Sequence, residues 1–325
     1  MTHDALLKVL RRGGVWHMYD REMAVSAGHA YLLLSEDEVA REEMVRLMCT
    51  RVYCPTACTT CPECRKVLGH NKPDVAEPNP QGEILRVEQA QALVEDAQMG
   101  SFEGGKKVYV LRNMHLQREA VQNVLLKTLE EPNPGVMFLL TAAHEAGILS
   151  TVRSRVKLLV LPPLPRADLE EVLTAEGVAE PSVFAKAAQG NVGLALSLSR
   201  DEHYFALVDE VVDLLAELRS STQIPLYLYR PEWAKDAIAA TLEVMEIAVR
   251  DLMYVRAGVA DSVVYRGKLS VYRQIAGLYP LRSLPLVLEL IEEAKRKVAS
   301  YCTAVNVADS LFLSMLEVKN TCARS

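Results

Sequence analysis

Four short apolar runs constrain this chain more than any other feature: AYLLL (30–34), KKVYVL (106–111), GVMFLLTA (135–142) and VKLLVL (156–161). None alternates apolar with polar residues, so each reads as a strand buried on both faces. The segments between them carry helical spacing. Val39–Met48 has Val39, Val45 and Met48 near one face; VEQAQALVEDAQMG (87–100) ends at Gly100, read as its C-cap; LQREAVQNVLLKTLEEP (116–132) is stopped by Pro132. Strands separated by helices require crossovers, and crossovers give a parallel sheet covered on both sides.

LPPLP (161–165) breaks that rhythm and reads as a hinge. Residues 166–200 then offer only short helical pieces, punctuated by Gly177 and Gly190. From about 205 onward the helices are longer. In 233–258 Ala237, Ala240, Val244, Ala248, Leu252 and Val255 recur at three- and four-residue steps, and 284–305 and 307–318 continue the pattern.

Half of the 325 residues are hydrophobic but only 6% are aromatic, so the cores are expected to be aliphatic. A formal net charge of −6 disfavours a chain devoted to wrapping nucleic acid. No apolar run approaches the ~18 residues of a membrane helix, and the start lacks a signal peptide's apolar core. The expected compartment is a reducing cytoplasm, with no membrane partner.

Five of the seven cysteines, Cys49, Cys54, Cys58, Cys61 and Cys64, fall within sixteen residues, 49–64. In a reducing compartment such clustering points to a metal, not to crosslinks. Short CxxC turns each present thiolates from one tight loop, and four thiolates close a structural zinc site; an iron–sulfur cluster is the lesser reading. Spacing does not decide whether Cys49 or Cys54 is the fourth ligand.

HAY (29–31), the cysteine spacing, KVYVL, LLKTLEEP (125–132), FLL (138–140) and TVRSR (151–155) occur in an order that resembles the bacterial DNA polymerase III clamp loader, within the AAA+ family. The resemblance covers about the first 200 residues. It implies an α/β AAA+ (RecA-like) domain over 1–162 with a zinc insert at 49–64, a small helical lid domain at 163–204, and an all-helical oligomerisation collar at 205–325. It also implies Cys49 as the fourth zinc ligand beside Cys58, Cys61 and Cys64. The implied partners are the other loader subunits (delta and gamma/tau) and, through the complex, the sliding clamp and primed DNA.

ATP-hydrolysing relatives carry GxxxxGK[ST] after the first strand, where glycine amides and a lysine hold phosphates. Here no glycine lies between Gly28 and Gly69, and Ser35-Glu36-Asp37-Glu38 stands at that junction. Ser35-x-x-Glu38 fits a capping box, and the acids suit the helix dipole. A phosphate would meet carboxylates; at ~4 Å and an effective dielectric of about 20 each such pair costs on the order of 4 kcal/mol. ATP is therefore not expected to bind productively.

After VYVL, relatives place an Asp-Glu pair; here stand Arg112 and Asn113, neither of which can ligate magnesium and activate water. They read either as an exposed strand end or, for Arg112, as an ion-pair partner of Glu36 or Asp37. Gly193 occupies the position where a basic sensor residue is expected in the lid. Ser154-Arg155 matches the family motif whose arginine projects into a neighbour's ATP site as an arginine finger. His29 reads as structural and His115 as a helix cap, and His144-Glu145 lacks partner ligands at a spacing usable for a catalytic metal.

These residues point to a non-hydrolysing loader subunit. The alternatives from other classes are an ATP-hydrolysing loader subunit and a stand-alone zinc-dependent nucleic-acid-binding module.

Overall fold

The computed structural model describes residues 3–300 and 302–324. It divides into two compact units, one comprising 1–181 with 188–196 and the other 182–187 with 197–325. The expected lid segment, 163–204, is thus shared between the two.

The first unit begins with two helices, α1 (His3–Arg12) and α2 (Gly14–Val25), which precede β1 (Ala30–Leu34). Then come α3 (Glu38–Tyr53), α4 (Pro62–Leu68), β2 (Val75–Ala76), α5 (Val87–Asp96), β3 (Lys107–Leu111), α6 (Glu119–Glu130), β4 (Val136–Ala142), α7 (Ser150–Arg153) and β5 (Lys157–Val160). The strands form one parallel sheet in the order β2-β3-β4-β1-β5. Helix α8 (Arg166–Ala175) follows in this unit; α9 (Pro181–Ala187) falls in the second unit from Ser182, and α10 (Val192–Arg200) belongs to the first unit as far as Leu196.

The four expected strands are present within a residue or two of the apolar runs, because burial on both faces makes the sequence itself nearly continuous. On one face Leu32, Leu34, Tyr109, Leu111, Phe138 and Leu140 pack with Leu93 of α5, Leu125 and Leu129 of α6 and Val152 of α7. On the other, Tyr19 of α2 meets Tyr31 edge-on at 5.1 Å, and its hydroxyl donates to the Met48 carbonyl of α3 at 3.2 Å.

One expected boundary differs. Helix α5 stops at Asp96 with Ala97 as its C-cap, three residues before the expected Gly100, because the chain turns away through Met99 to reach β3. Gln122, fully buried in α6, does work that no pattern announces. Its amide donates to the carbonyls of Gln117 (2.9 Å) and Gly147 (2.8 Å), and its oxygen accepts the Leu149 N–H (2.9 Å) at the start of α7.

The second unit holds α11 (Tyr204–Glu217), α12 (Ile224–Leu228), α13 (Ile238–Arg256), α14 (Leu269–Ile275), α15 (Ser283–Ala299) and α16 (Ala304–Arg324). Helix α13 is buried on most sides, with Ile238, Leu242, Met245 and Val249 joining Val244, Ala248 and Leu252 inside, whereas Ala240 is exposed. Asp251, fully buried in α13, accepts the N–H groups of Val264 (2.7 Å) and Tyr265 (2.9 Å), which fixes the loop before α14.

Replacing Gln122 by Leu keeps the volume but removes the partner of the buried Gln117 carbonyl and of the part-buried Gly147 carbonyl and Leu149 N–H. Loss of such partners costs about 1–3 kcal/mol, so the urea midpoint of unfolding should fall with the m-value unchanged.

Candidate functional site

The carboxyl ends of the strands are where ligands bind in open parallel sheets, and Ser35 to Glu38 follow β1 there, as Arg112 and Asn113 follow β3. Ser35 leaves β1, its N–H donating to the Ala142 carbonyl at 3.1 Å. The capping box read from Ser35 and Glu38 is not formed. Asp37 is the N-cap of α3, accepting the Ala40 N–H at 3.1 Å, and Glu38 is the first helical residue. The Ser35 hydroxyl instead accepts the Asp37 N–H (3.2 Å), a local turn that starts the helix later than the sequence pattern suggested.

Asp37 also reaches a distant segment. Its carboxylate accepts the Val192 N–H at 2.5 Å and the Gly193 N–H at 3.3 Å, the first two amides of α10. One buried side chain therefore serves the amino-termini of two helices. Glu36 and Glu38 are exposed. A Cβ on Gly193 would lie 3.2 Å from Val39 Cγ2 and 3.5 Å from the Asp37 carboxylate, so a larger residue would crowd this junction.

Arg41, which the sequence reading overlooked, fills the space between the ends of β1 and β3. Its guanidinium donates to the Ser35 carbonyl (2.6 Å) and to the Asn113 side chain (3.1 Å). Asn113 itself stands in the left-handed region, φ 52°, where Asn is tolerated better than most residues.

Arg112 is buried, not an exposed strand end, and it pairs with neither Glu36 nor Asp37. It bonds Glu42 at 2.7 Å and Glu77 at 2.8 Å. The reason is distance along α3: Glu42 projects from the second turn toward β3, while Asp37 is committed to helix amides. Asn79 copies a strand partner at this end, accepting the Arg112 N–H (3.0 Å) and donating to its carbonyl (2.8 Å).

Beside these residues is a cavity of about 570 Å³ lined by Glu38, Glu42, Arg46, His70, Glu77 and Arg112. His70 bonds Glu77 at 2.8 Å and Arg46 at 3.2 Å. Cations and carboxylates are balanced and largely paired with one another, so the lining is not an anion cradle.

The cysteines lie where α3 ends. Cys54, Cys58, Cys61 and Cys64 bring their sulfurs within 4.8 Å of one another, with Cys54–Cys58 at 3.8 Å and Cys58–Cys64 at 4.0 Å. Four thiolates at the ~2.3 Å zinc distance sit about 3.8 Å apart at tetrahedral corners, so the spacing fits zinc. The Cys61 N–H donates to Cys58 Sγ at 3.3 Å and the Cys64 N–H to Cys61 Sγ at 3.5 Å. Hydrogen bonding from Thr60 holds the Cys58 thiol well below the ordinary value, and Thr56 does the same for Cys54. Ala57 (φ 44°) and Thr59 (φ 66°) take left-handed conformations inside the loop, which persist only where the surroundings enforce them.

Cys49, the expected fourth ligand, is outside this group. It faces the interior from within α3, and burial pushes its thiol up to about 12. The helix continues to Tyr53, so Cys54 is the first cysteine free to turn toward the loop.

Arg155 follows α7 and is half-buried. Its guanidinium holds Glu130 (3.0 and 2.7 Å) and the Thr151 carbonyl (2.9 Å). Glu130 belongs to the LLKTLEEP segment at the end of α6. Arg153 is exposed and pairs with Glu145 at 2.7 Å. His29 bonds the Leu129 carbonyl at 2.9 Å, and His115 accepts the Ala143 N–H at 3.4 Å.

Residues 17–165 match the sequence family described as DNA polymerase III, delta subunit. The chain is 24% identical over 299 residues to the delta-prime subunit of DNA polymerase III from Bacillus subtilis, covering 89% of this chain and 91% of that protein. It is 31% identical over 132 residues to the Haemophilus influenzae delta-prime subunit, 39% of this chain and 40% of that one. To the Escherichia coli tau subunit it is 32% identical over 184 residues, 53% of this chain and 28% of that protein. Among solved structures, a gamma-subunit-related protein from Thermotoga maritima aligns over 93% of this chain and 99% of its own, at a TM-score of 0.41 and 14% identity. Over 17–165 the chain is thus similar to the DNA polymerase III delta-subunit family, and along most of its length it is similar to a delta-prime subunit of that polymerase.

Proposed function

We propose that this chain is a clamp-loader subunit that hydrolyses no ATP itself and supplies Arg155 to the ATP site of an adjacent subunit. The observation that carries the first half is Asp37. At the start of the helix after β1, where a phosphate would be received, its carboxylate already takes the Ala40 amide and also two amides of α10, and Arg41 spans the space toward Asn113. Arg112 and Asn113 stand where hydrolysing relatives keep acids, and neither has the chemistry of a magnesium ligand joined to a general base. Match to tau subunits leaves an ATP-hydrolysing role as the rival reading, but the phosphate loop those functions need has no counterpart in residues 29–68.

The second half rests on the Ser154-Arg155 motif and on how the arginine is presented. Glu130 and the Thr151 carbonyl hold the guanidinium at the surface without burying it. An arginine placed against a neighbour's transferring phosphoryl group stabilises the charge that develops there.

The functional parts in this reading are an AAA+ domain (1–162), a lid (163–204) and a collar (205–325), assembled with delta and gamma/tau subunits into a heteropentamer that loads a sliding clamp on primed DNA in the cytoplasm. Among the described residues no helix is long and apolar enough to cross a membrane. Cys54, Cys58, Cys61 and Cys64 would hold structural zinc. When bound, the metal supplies four bonds that close the loop between α3 and α4 and leave no position for water.

Three outcomes test these assignments. Cys54→Ser should lose bound zinc measured per chain after purification, while Cys49→Ser should retain it; the reverse result restores Cys49 as a ligand. The isolated chain should show no heat of ATP binding in calorimetry and no turnover; stoichiometric binding abolished by changes at 35–38 would assign it as an ATPase. Arg155→Ala should leave the isolated chain's melting temperature nearly unchanged, since an exposed pair contributes ~0–1 kcal/mol, yet slow ATP turnover of the assembled complex. Undiminished turnover removes the finger role.

A further inference from the structure

We propose that Asp37 is a permanent latch: its carboxylate fastens the first turn of α10 to the start of α3, so this joint closes without any bound ligand. In each helix the first amides lack an intrahelical partner and carry the positive end of the macrodipole, about half a charge. Asn191, the local residue, accepts only the Leu194 N–H at 2.8 Å. The Val192 and Gly193 amides are left for a partner from elsewhere, and Asp37 takes both while still capping α3 through Ala40.

The two caps are complementary, each needing the same carboxylate. A carboxylate with 6% of its surface exposed is costly unless it is fully hydrogen-bonded, and Asp37 meets that condition only when α10 is docked. Docking also needs close approach. Gly193 provides it, as a Cβ there would press Val39 at 3.2 Å. A second tie lies just upstream, where the Leu164 N–H donates to the Gly190 carbonyl at 2.9 Å. Gly190 has φ +93°, and a Cβ on it would lie 2.5 Å from the Leu164 carbonyl oxygen, so this turn too is built for contact. Residues Ala188–Leu196 accordingly count with the sheet unit, although Ser182–Ala187 before them and Ser197–Ser325 after them do not. The latch holds the one stretch of chain that returns to the sheet.

The test uses hydrogen exchange of the full chain, resolved to single amides. Asp37→Asn keeps an α3 cap, because Asn caps as well as Asp, but sets an NH₂ group against the Val192 or Gly193 N–H. Asp37→Ser also caps α3 and is too short to reach α10. Glu36→Ala removes a carboxylate from the same loop without touching the joint. Exchange should rise about tenfold or more at both Val192 and Gly193 in the Ser variant and at whichever of the two faces the NH₂ group in the Asn variant, with Ala40 and the β4 amides protected as before, and Glu36→Ala should match the wild type. Unchanged protection of Val192 and Gly193 in the Asn and Ser variants overturns the latch. The readout involves neither ATP nor a partner subunit, so it stands or falls separately from the role of Arg155.

Discussion

A helix that starts directly after a buried strand presents unpaired amides and positive potential at a place water scarcely reaches. Something must satisfy it, and the choice of partner decides what the fold can do there. In phosphate-binding proteins the partner is a ligand, and the protein is incomplete without it. Here the partner is the side chain of Asp37, covalently present at all times. The same carboxylate satisfies α10, so a single residue settles the local electrostatics and the position of a distant helix turn.

The neighbouring charges follow the same logic. With Asp37 committed to amides, Arg41 turns to a carbonyl and to Asn113, and Arg112 finds its carboxylates in Glu42 and Glu77. Each buried ion has a partner from this chain. Buried pairs of this kind return little net stability, because desolvation offsets the attraction, but removing one member is expensive. The set therefore holds its members in fixed places more than it strengthens the fold.

The sheet was legible because a strand buried on both faces leaves a run of apolar residues that local sequence cannot disguise. Strand β2, only Val75–Ala76, has no such run, and α1 and α2 precede the first strand without a cue that ties them to the sheet. The site was legible as residues but not as pairs. Ser35 through Glu38, Arg112, Asn113 and Arg155 stand out in the sequence as positions, yet the partner of Arg112 and the reach of Asp37 to Val192 depend on how remote segments meet. The cysteine group shows the same limit. Four ligands can be read from spacing, but whether Cys49 or Cys54 is among them depends on where α3 ends, and helix ends are set by tertiary contacts such as the Tyr53 hydroxyl donating to the carbonyls of Asp74 and Lys106.

A subunit whose helix junction is satisfied internally differs from a nucleotide-dependent relative in one thermodynamic respect. A ligand shifts a conformational equilibrium only by its differential affinity for the two states. When the closing interaction belongs to the chain, that differential is constant, and the joint cannot be cycled by binding and release. On the proposed reading this suits a member that assists hydrolysis next door: Arg155 is of use only if the surface presenting it keeps its shape while the neighbour's nucleotide changes. Glu130 and the Thr151 carbonyl fix the arginine locally, Gln122 fixes the start of α7 beneath it, and α6 joins both to the sheet. On that reading Asp37, at the end of β1, and Arg155, just before β5, are both held by partners from this chain, and neither contact waits on a ligand.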